Sequence, residues 1–315
     1  MFDNMTEKQK ELFAFINESW KEKMSELEAL NPQNFNFAVQ SDTHYSTLNP
    51  GNTANNIKAL SHLIPLAFYA NLGDYIKGYF MGEAGKSDNT PELTMTSLKE
   101  LTARYLDGAS CPVLITFGNH DTNALWCKNY GKATQQLTKK DHYEQVISKV
   151  KAHNGQAMVN DGESNYYYVD FPADGVRMIM LNTTDGNYEE SFDSTTVIGE
   201  RQLEWFEKVA LDTKFHIIVA SHIPFYKEFP GNDGAPKNAE CVLSAVENFI
   251  KSGGNFVAYL CGHNHIQADM VDVNGRLHVS FKNGGHIAEV LSIDTKKREI
   301  NTVGLGKIES RSFKY

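Results

Sequence analysis

The sequence predicts an α/β protein in which two mixed β-sheets pack together between outer helices, giving four layers. Two observations predict it. From Phe35 to Cys261, short apolar runs alternate with helix-like segments, as expected of strands buried on both faces and joined by helices. Beyond Cys261 the apolar runs come in pairs separated by short turns, the pattern of antiparallel strands. The 315 residues with 41% hydrophobic content suffice for one large core. No Pro-, Gly- or Ser-rich linker and no internal repeat divides the chain, so one main domain over 32–315 is the economical reading.

The elements follow in order. Residues 6–28 read as one helix. Thr6 and Gln9 have capping-box spacing, and Leu12, Ile16, Trp20, Met24 and Leu27 form an apolar stripe at helical spacing. The segment 1–31 is expected to pack on the main domain through that stripe, with docking or oligomerisation as the alternative use. Strands are expected at Phe35–Gln40, Ala67–Leu72 and Val113–Phe117, with helices around 53–66, 92–107 and 138–152. A second series has strands at Tyr166–Phe171, Val176–Leu181, His216–Ala220 and Phe256–Cys261, with helices around 199–211 and 238–251. Met270–Val273 and Leu277–Phe281 read as a hairpin across a two-residue Asn274-Gly275 turn. Ala288–Ile293 and Glu299–Val303 read as another antiparallel pair. The long polar segment 122–162, with Trp126, Tyr130 and His153, is an insertion that could cap a site.

Charge and composition narrow the function. A formal net charge of −9 argues against a surface that wraps nucleic acid by counterion release, and a nuclease would want basic residues near its site. Met1–Lys10 is polar and has no signal-peptide pattern, and no window of 18 apolar residues exists. The expectation is a cytoplasmic protein with no membrane partner. The four cysteines lack C-x-x-C spacing and read as free thiols of a reducing compartment.

The chemistry lies at the ends of the expected strands. These ends carry Asp42-Thr43-His44, Gly73-Asp74, Gly118-Asn119-His120-Asp121, Ser221-His222 and Gly262-His263-Asn264-His265. Ligands of α/β sheets collect outside the carboxyl ends of strands, so these five turns can converge. Carboxylates mixed with imidazoles suit Mn, Fe or Zn, and a carboxylate such as Asp74 can bridge two cations about 4 Å apart. Five of the eleven histidines fall in these motifs. A chance scatter of core and turn histidines does not explain so ordered a set.

The order Asp-x-His, Gly-Asp, Gly-Asn-His-Asp, a lone His after an apolar strand, and Gly-His-x-His resembles the calcineurin-like metallophosphoesterase superfamily, over about residues 35–305. Gly199–Phe206 resembles a further segment of these enzymes, and the ending Arg311–Tyr315 is similar to members from Gram-positive bacteria and their phages, which allows a phage-associated setting. The resemblance implies the four-layer fold and two divalent cations (manganese, iron or zinc). Asp42, His44 and His265 would hold one, Asn119, His222 and His263 the other, and Asp74 would bridge them. It implies attack on a phosphate ester by a metal-bound hydroxide, with His120 stabilising the phosphate or protonating the leaving oxygen. Tyr166–Leu181 resembles paired strands of bacterial phosphodiesterases and tilts the substrate toward diesters, with phosphomonoesters or nucleotides as the alternative. A degenerate, non-catalytic module is the reading from another class.

The chain departs from two subgroups. Three residues after Asp74 stands Lys77, where protein serine/threonine phosphatases place an aspartate and purple acid phosphatases a tyrosine. Lys77 could contact a phosphate, and Tyr226 in His222–Lys227 could stack on a base or sugar; a solvated lysine and a packed ring are the plainer readings.

Overall fold

The computed structural model describes residues 6–14, 16–47, 53–78, 90–132, 135–186 and 196–315. The first three strands are short, mostly apolar runs, buried at every position: β1 (Phe35–Gln40), β2 (Tyr69–Leu72) and β3 (Val113–Thr116). They run parallel to one another, because helices 53–63 and 91–106 carry the chain back between them. Then come β4 (Met158–Asn160), β5 (Tyr167–Phe171), β6 (Val176–Met180), β7 (His216–Ala220) and β8 (Asn255–Cys261). The last strands are β9 (Ala268–Val271), β10 (Leu277–Ser280), β11 (Ala288–Asp294), β12 (Glu299–Leu305) and β13 (Ser312–Lys314). One sheet has six strands in the order β13-β12-β11-β1-β2-β3, and the other has seven in the order β4-β5-β6-β7-β8-β10-β9. Both are mixed, with β6, β7, β8 and β10 parallel in the second.

The main core lies between the sheets. Phe37, Val39, Leu114 and Val290 of the first meet Met178, Met180, Ile218 and Leu260 of the second. Strand alternation sends Ile179, Leu181, Ile217 and Val219 to the opposite face, where they pack under Trp205, Phe206, Val242 and Val246 of the helical segments 200–210 and 239–251. Arg311 joins the sheets at one end. Its guanidinium binds the buried Glu289 of β11 at 2.7 Å and donates to the carbonyls of Ala268 and Ser280 in the other sheet.

Three expectations need correction. Residues 6–28 form three short helices, Glu7–Ala14, Glu18–Lys21 and Met24–Glu28, instead of one. Asn17 breaks the first from the second: its backbone leaves the helical region (φ −57°, ψ 139°), and its side chain accepts the Ser19 N–H as a new cap. Ile16, Trp20, Met24 and Leu27 nonetheless sit in the main core, and Trp20 Nε1 donates to the His286 carbonyl at 2.7 Å. The side chains of Gln9, Leu12 and Tyr130 lie outside the described residues. The β9–β10 loop is longer than two residues. Asp272 Oδ1 accepts the N–H groups of Asn274 and Arg276, and Asp272 and Arg276 pair before Gly275 turns the chain at φ +78°. Within 138–152 and 199–211, the helices each contain a π-helical stretch, Tyr143–Ile147 and Phe206–Ala210.

In the 122–162 segment, Val146, Ile147 and Val150 belong to the main core, and His142 stacks on Phe117 with ring centroids 4.3 Å apart. All four cysteines are free thiols. Among the described residues, no helix is long and apolar enough to cross a membrane.

Candidate metal centre

The carboxyl ends of β1, β2, β3, β7 and β8 point the same way, and the loops that follow are tied to one another by backbone hydrogen bonds. Asp42 N donates to Gly73 O at 2.9 Å, His44 N to Asp74 O at 2.9 Å, and Gly262 N to His222 O at 2.9 Å. This brings six of the seven expected metal ligands, all but Asn119, into two adjoining groups. Asp42, His44, Asp74 and His265 form one, and Asp74, His222 and His263 the other, each with its potential ligand atoms within 4.8 Å of one another. Asp74 belongs to both.

The contacts are specific. His265 Nε2 lies 3.2 Å from Asp42 Oδ1 and 3.2 Å from His44 Nε2. His222 Nε2 lies 3.2 Å from Asp74 Oδ2, while its Nδ1 donates to the Leu72 carbonyl at 2.9 Å, which leaves Nε2 as the nitrogen able to serve a cation. His263 Nδ1 is 3.3 Å from His222 Nε2. The other oxygens of the two aspartates hold the backbone: Asp42 Oδ2 accepts the His263 N–H at 3.0 Å, and Asp74 Oδ1 accepts the His120 N–H at 2.9 Å. His120 stands beside the groups, its Nε2 3.7 Å from Asp74 Oδ2 and its ring 4.4 Å from that of His44.

The residues fit divalent cations on three grounds. The donor set of carboxylates, imidazoles and an amide oxygen suits first-row metals. Asn119 Oδ1 is buried and has no hydrogen-bond partner, a costly state that a cation would relieve. Backbone strain also concentrates here. Of the nine non-glycine residues with positive φ among the described residues, five are Asp42, His44, Asp74, His263 and His265. Such conformations cost about 1–3 kcal/mol each and persist where surrounding structure imposes them.

The electrostatics are those of charges forced together out of water. Burial opposes ionisation of Asp74, yet His222, His120 and His44 outweigh it and hold its carboxyl far below the usual range. Burial disfavours the charged form of His222 as well, but Asp74 and Asp42 raise it to about 9. His120 moves the other way: burial lowers it to about 4 against the pull of Asp74.

Two residues here went unassigned by the sequence. Asp121 is fully buried, accepts Gly118 N–H at 2.7 Å and Ile76 N–H at 2.9 Å, and so staples the turns after β2 and β3. Its presence in Gly-Asn-His-Asp was the available signal. Asp233 Oδ1 lies 3.3 Å from His263 Nε2. It sits in Pro230-Gly231-Asn232-Asp233-Gly234, which reads only as a turn. Asn119, Thr196, Ile223, Asp233, Gly234, Ala235 and His263 line a cavity of about 270 Å³. Tyr226 packs its ring against His278 at 5.4 Å, and Lys77 donates its backbone N–H to Tyr45 O at 2.9 Å.

Fold and motif order together define a hydrolase of phosphoric esters built around a metal-binding strand-end site. The family model described as calcineurin-like phosphoesterase matches residues 35–267, and the chain belongs to that family. Solved structures agree on the fold. A dimetal phosphatase from Danio rerio is 16% identical, with 89% of this chain and 99% of that one covered and a TM-score of 0.65. A 5'-nucleotidase from Candida albicans is 19% identical, with 84% of this chain and 48% of that one covered and a TM-score of 0.50. No curated protein matches the chain.

Proposed function

We propose that the chain hydrolyses small phosphodiesters with two divalent cations. Asp42, His44 and His265 would hold one, Asn119, His222 and His263 the other, with Asp74 between them. The observation that carries this reading is the sharing of Asp74 by the two ligand groups. When bound, such a pair supplies positive charge to phosphoryl oxygens and lowers the pKa of coordinated water.

The chain's own residues do the rest. Asp42 and Asp74 each use one oxygen toward the cluster and the other on a backbone N–H, which fixes the carboxylates before substrate arrives. His120, with a side chain 18% exposed and its Nε2 3.7 Å from Asp74 Oδ2, would hydrogen-bond a phosphoryl oxygen or the leaving oxygen. The preference for diesters is supported by the cavity beside His263. Among the described residues its lining includes the acidic Asp233 and neither Lys nor Arg. A diester carries one negative charge at neutral pH, whereas a phosphomonoester carries about 1.5 to 2 and calls for more cationic contacts.

The test is turnover of an aryl phosphodiester and the matching phosphomonoester by Mn²⁺-loaded protein, with Asp74→Ala as control. Diester turnover that the variant lacks is the expected result. Monoester turnover alone would replace the diester reading with a phosphatase. Turnover unchanged in Asp74→Ala would reject the site.

A further inference from the structure

His263 turns its two ring nitrogens in opposite directions. Nδ1 faces the cluster, 3.3 Å from His222 Nε2, and Nε2 faces outward, 3.3 Å from Asp233 Oδ1. An ionised carboxylate only accepts hydrogen bonds, so in this contact Nε2 carries the proton and Nδ1 keeps its lone pair. His222 is arranged in mirror fashion, with Nδ1 donating to Leu72 O and Nε2 turned inward. One imidazole is oriented by a backbone carbonyl, the other by a side chain.

Asp233 is itself held by its loop. Asn232 N donates to Phe229 O at 3.0 Å, Asn232 Nδ2 to Tyr226 O at 3.1 Å, and Gly234 N to Asn232 Oδ1 at 3.3 Å. Phe229 is buried beneath the loop. Asn264, the residue between His263 and His265, donates from Nδ2 to Pro230 O at 2.9 Å. The loop that presents Asp233 is thus tied directly to the turn that presents both histidines.

We infer that Asp233 is a positioning residue: it holds His263 with Nε2 protonated and Nδ1 directed at the second cation. The inference rests on the two-cation reading of the site. Carboxylates that orient metal-binding histidines in this way typically raise metal affinity 10- to 100-fold. The Asp233 side chain is 86% exposed, so its removal leaves no buried group stranded and the fold stays intact.

The experiment titrates the full chain with Mn²⁺ and compares wild type with Asp233→Ala, Asp233→Asn and Asp233→Glu. In parallel, ¹⁵N NMR reads the His263 ring nitrogens in metal-free protein. The expected result is one site unchanged and the other weakened about 10- to 100-fold in Asp233→Ala. Recovery is expected to be partial in Asp233→Asn, whose amide oxygen still accepts, and near complete in Asp233→Glu. At saturating Mn²⁺ the loss should appear in the metal activation constant far more than in kcat. In metal-free wild type the His263 signals should show a proton on Nε2, and in Asp233→Ala a mixture. Two unweakened sites in Asp233→Ala, or ring signals unchanged by the substitution, would overturn the inference. Failure of wild type to bind Mn²⁺ would remove the two-cation reading instead, and the ring signals would still decide whether Asp233 orients His263.

Discussion

Replacing Gly73 by alanine tests how tightly the loops beneath the site are fitted. Gly73 has φ +93°, a conformation L-residues rarely adopt, and an added Cβ would lie 2.8 Å from Gly118 N and from both Cβ and Cγ of His222. Neither neighbour can give way cheaply. Gly118 N is bound to Asp121 Oδ2 at 2.7 Å, and the His222 ring is pinned by Leu72 O at 2.9 Å. The backbone strain costs about 1–2 kcal/mol. The overlap adds about 1–3 kcal/mol. The combined loss of about 2–5 kcal/mol corresponds to a Tm lower by about 3–8 °C, at roughly 2.1 cal/mol/K of unfolding entropy per residue. Gly155 supplies the control: its φ is +69°, but an added Cβ meets nothing within 4 Å. Thermal denaturation should therefore place Gly155→Ala only about 2–3 °C below wild type, from backbone strain alone. Relief of the overlap moves His222 away from Asp74, so a Mn²⁺ titration should show the group of Asp74, His222 and His263 weakened in Gly73→Ala and unaltered in Gly155→Ala. Equal melting of the two variants, with equal Mn²⁺ binding, would refute the reasoning.

Other perturbations probe the surroundings. Asp121→Asn leaves one oxygen to serve the N–H groups of Gly118 and Ile76; unfolding by denaturant should show a loss of about 1–3 kcal/mol, and weaker Mn²⁺ binding should follow as the two turns part. Arg177 binds Asp170 through Nε at 2.6 Å and Nη2 at 2.8 Å, donates to the Ala210 carbonyl at 2.9 Å, and lies 3.7 Å over the Tyr168 ring. Arg177→Met should cost about 3 kcal/mol, visible in chemical denaturation, with Mn²⁺ binding unchanged. His142 is fully buried, its Nε2 donates to Asp121 O at 2.9 Å, and burial lowers it to about 4. Between its ordinary value near 6.5 and about 4, the unfolded chain takes up a proton that the folded chain refuses, so its contribution is intact above that window and lost as pH falls through it. The loss reaches about 3 kcal/mol. The pH dependence of stability in this window should be shallower for His142→Phe than for wild type.

Much of this architecture was legible because it rests on local rules. Val113–Thr116 is almost continuously apolar and Phe35–Gln40 is mostly so, broken only by Asn36 and Gln40, which marks strands covered on both faces. Asp42, Asp74, Asn119, His222 and His263 stand out because each ends such a run. What stayed illegible depends on side chains choosing among local partners or on distant contacts. Asn17 and Asp272 each captured nearby N–H groups, dividing one expected helix and lengthening one expected turn. Asp233 meets His263 across 30 residues, and nothing within its own turn points there. The two π-helical stretches leave no mark on the sequence periodicity.

The most direct test of the whole account is the number of Mn²⁺ ions bound per chain, in wild type and in Asp74→Ala, with thermal denaturation to verify that the variant is folded. Because Asp74 belongs to both ligand groups, wild type should bind two and the folded variant fewer than two, with phosphodiester turnover lost in step. Two ions in folded Asp74→Ala with turnover retained, or none in wild type, would contradict it.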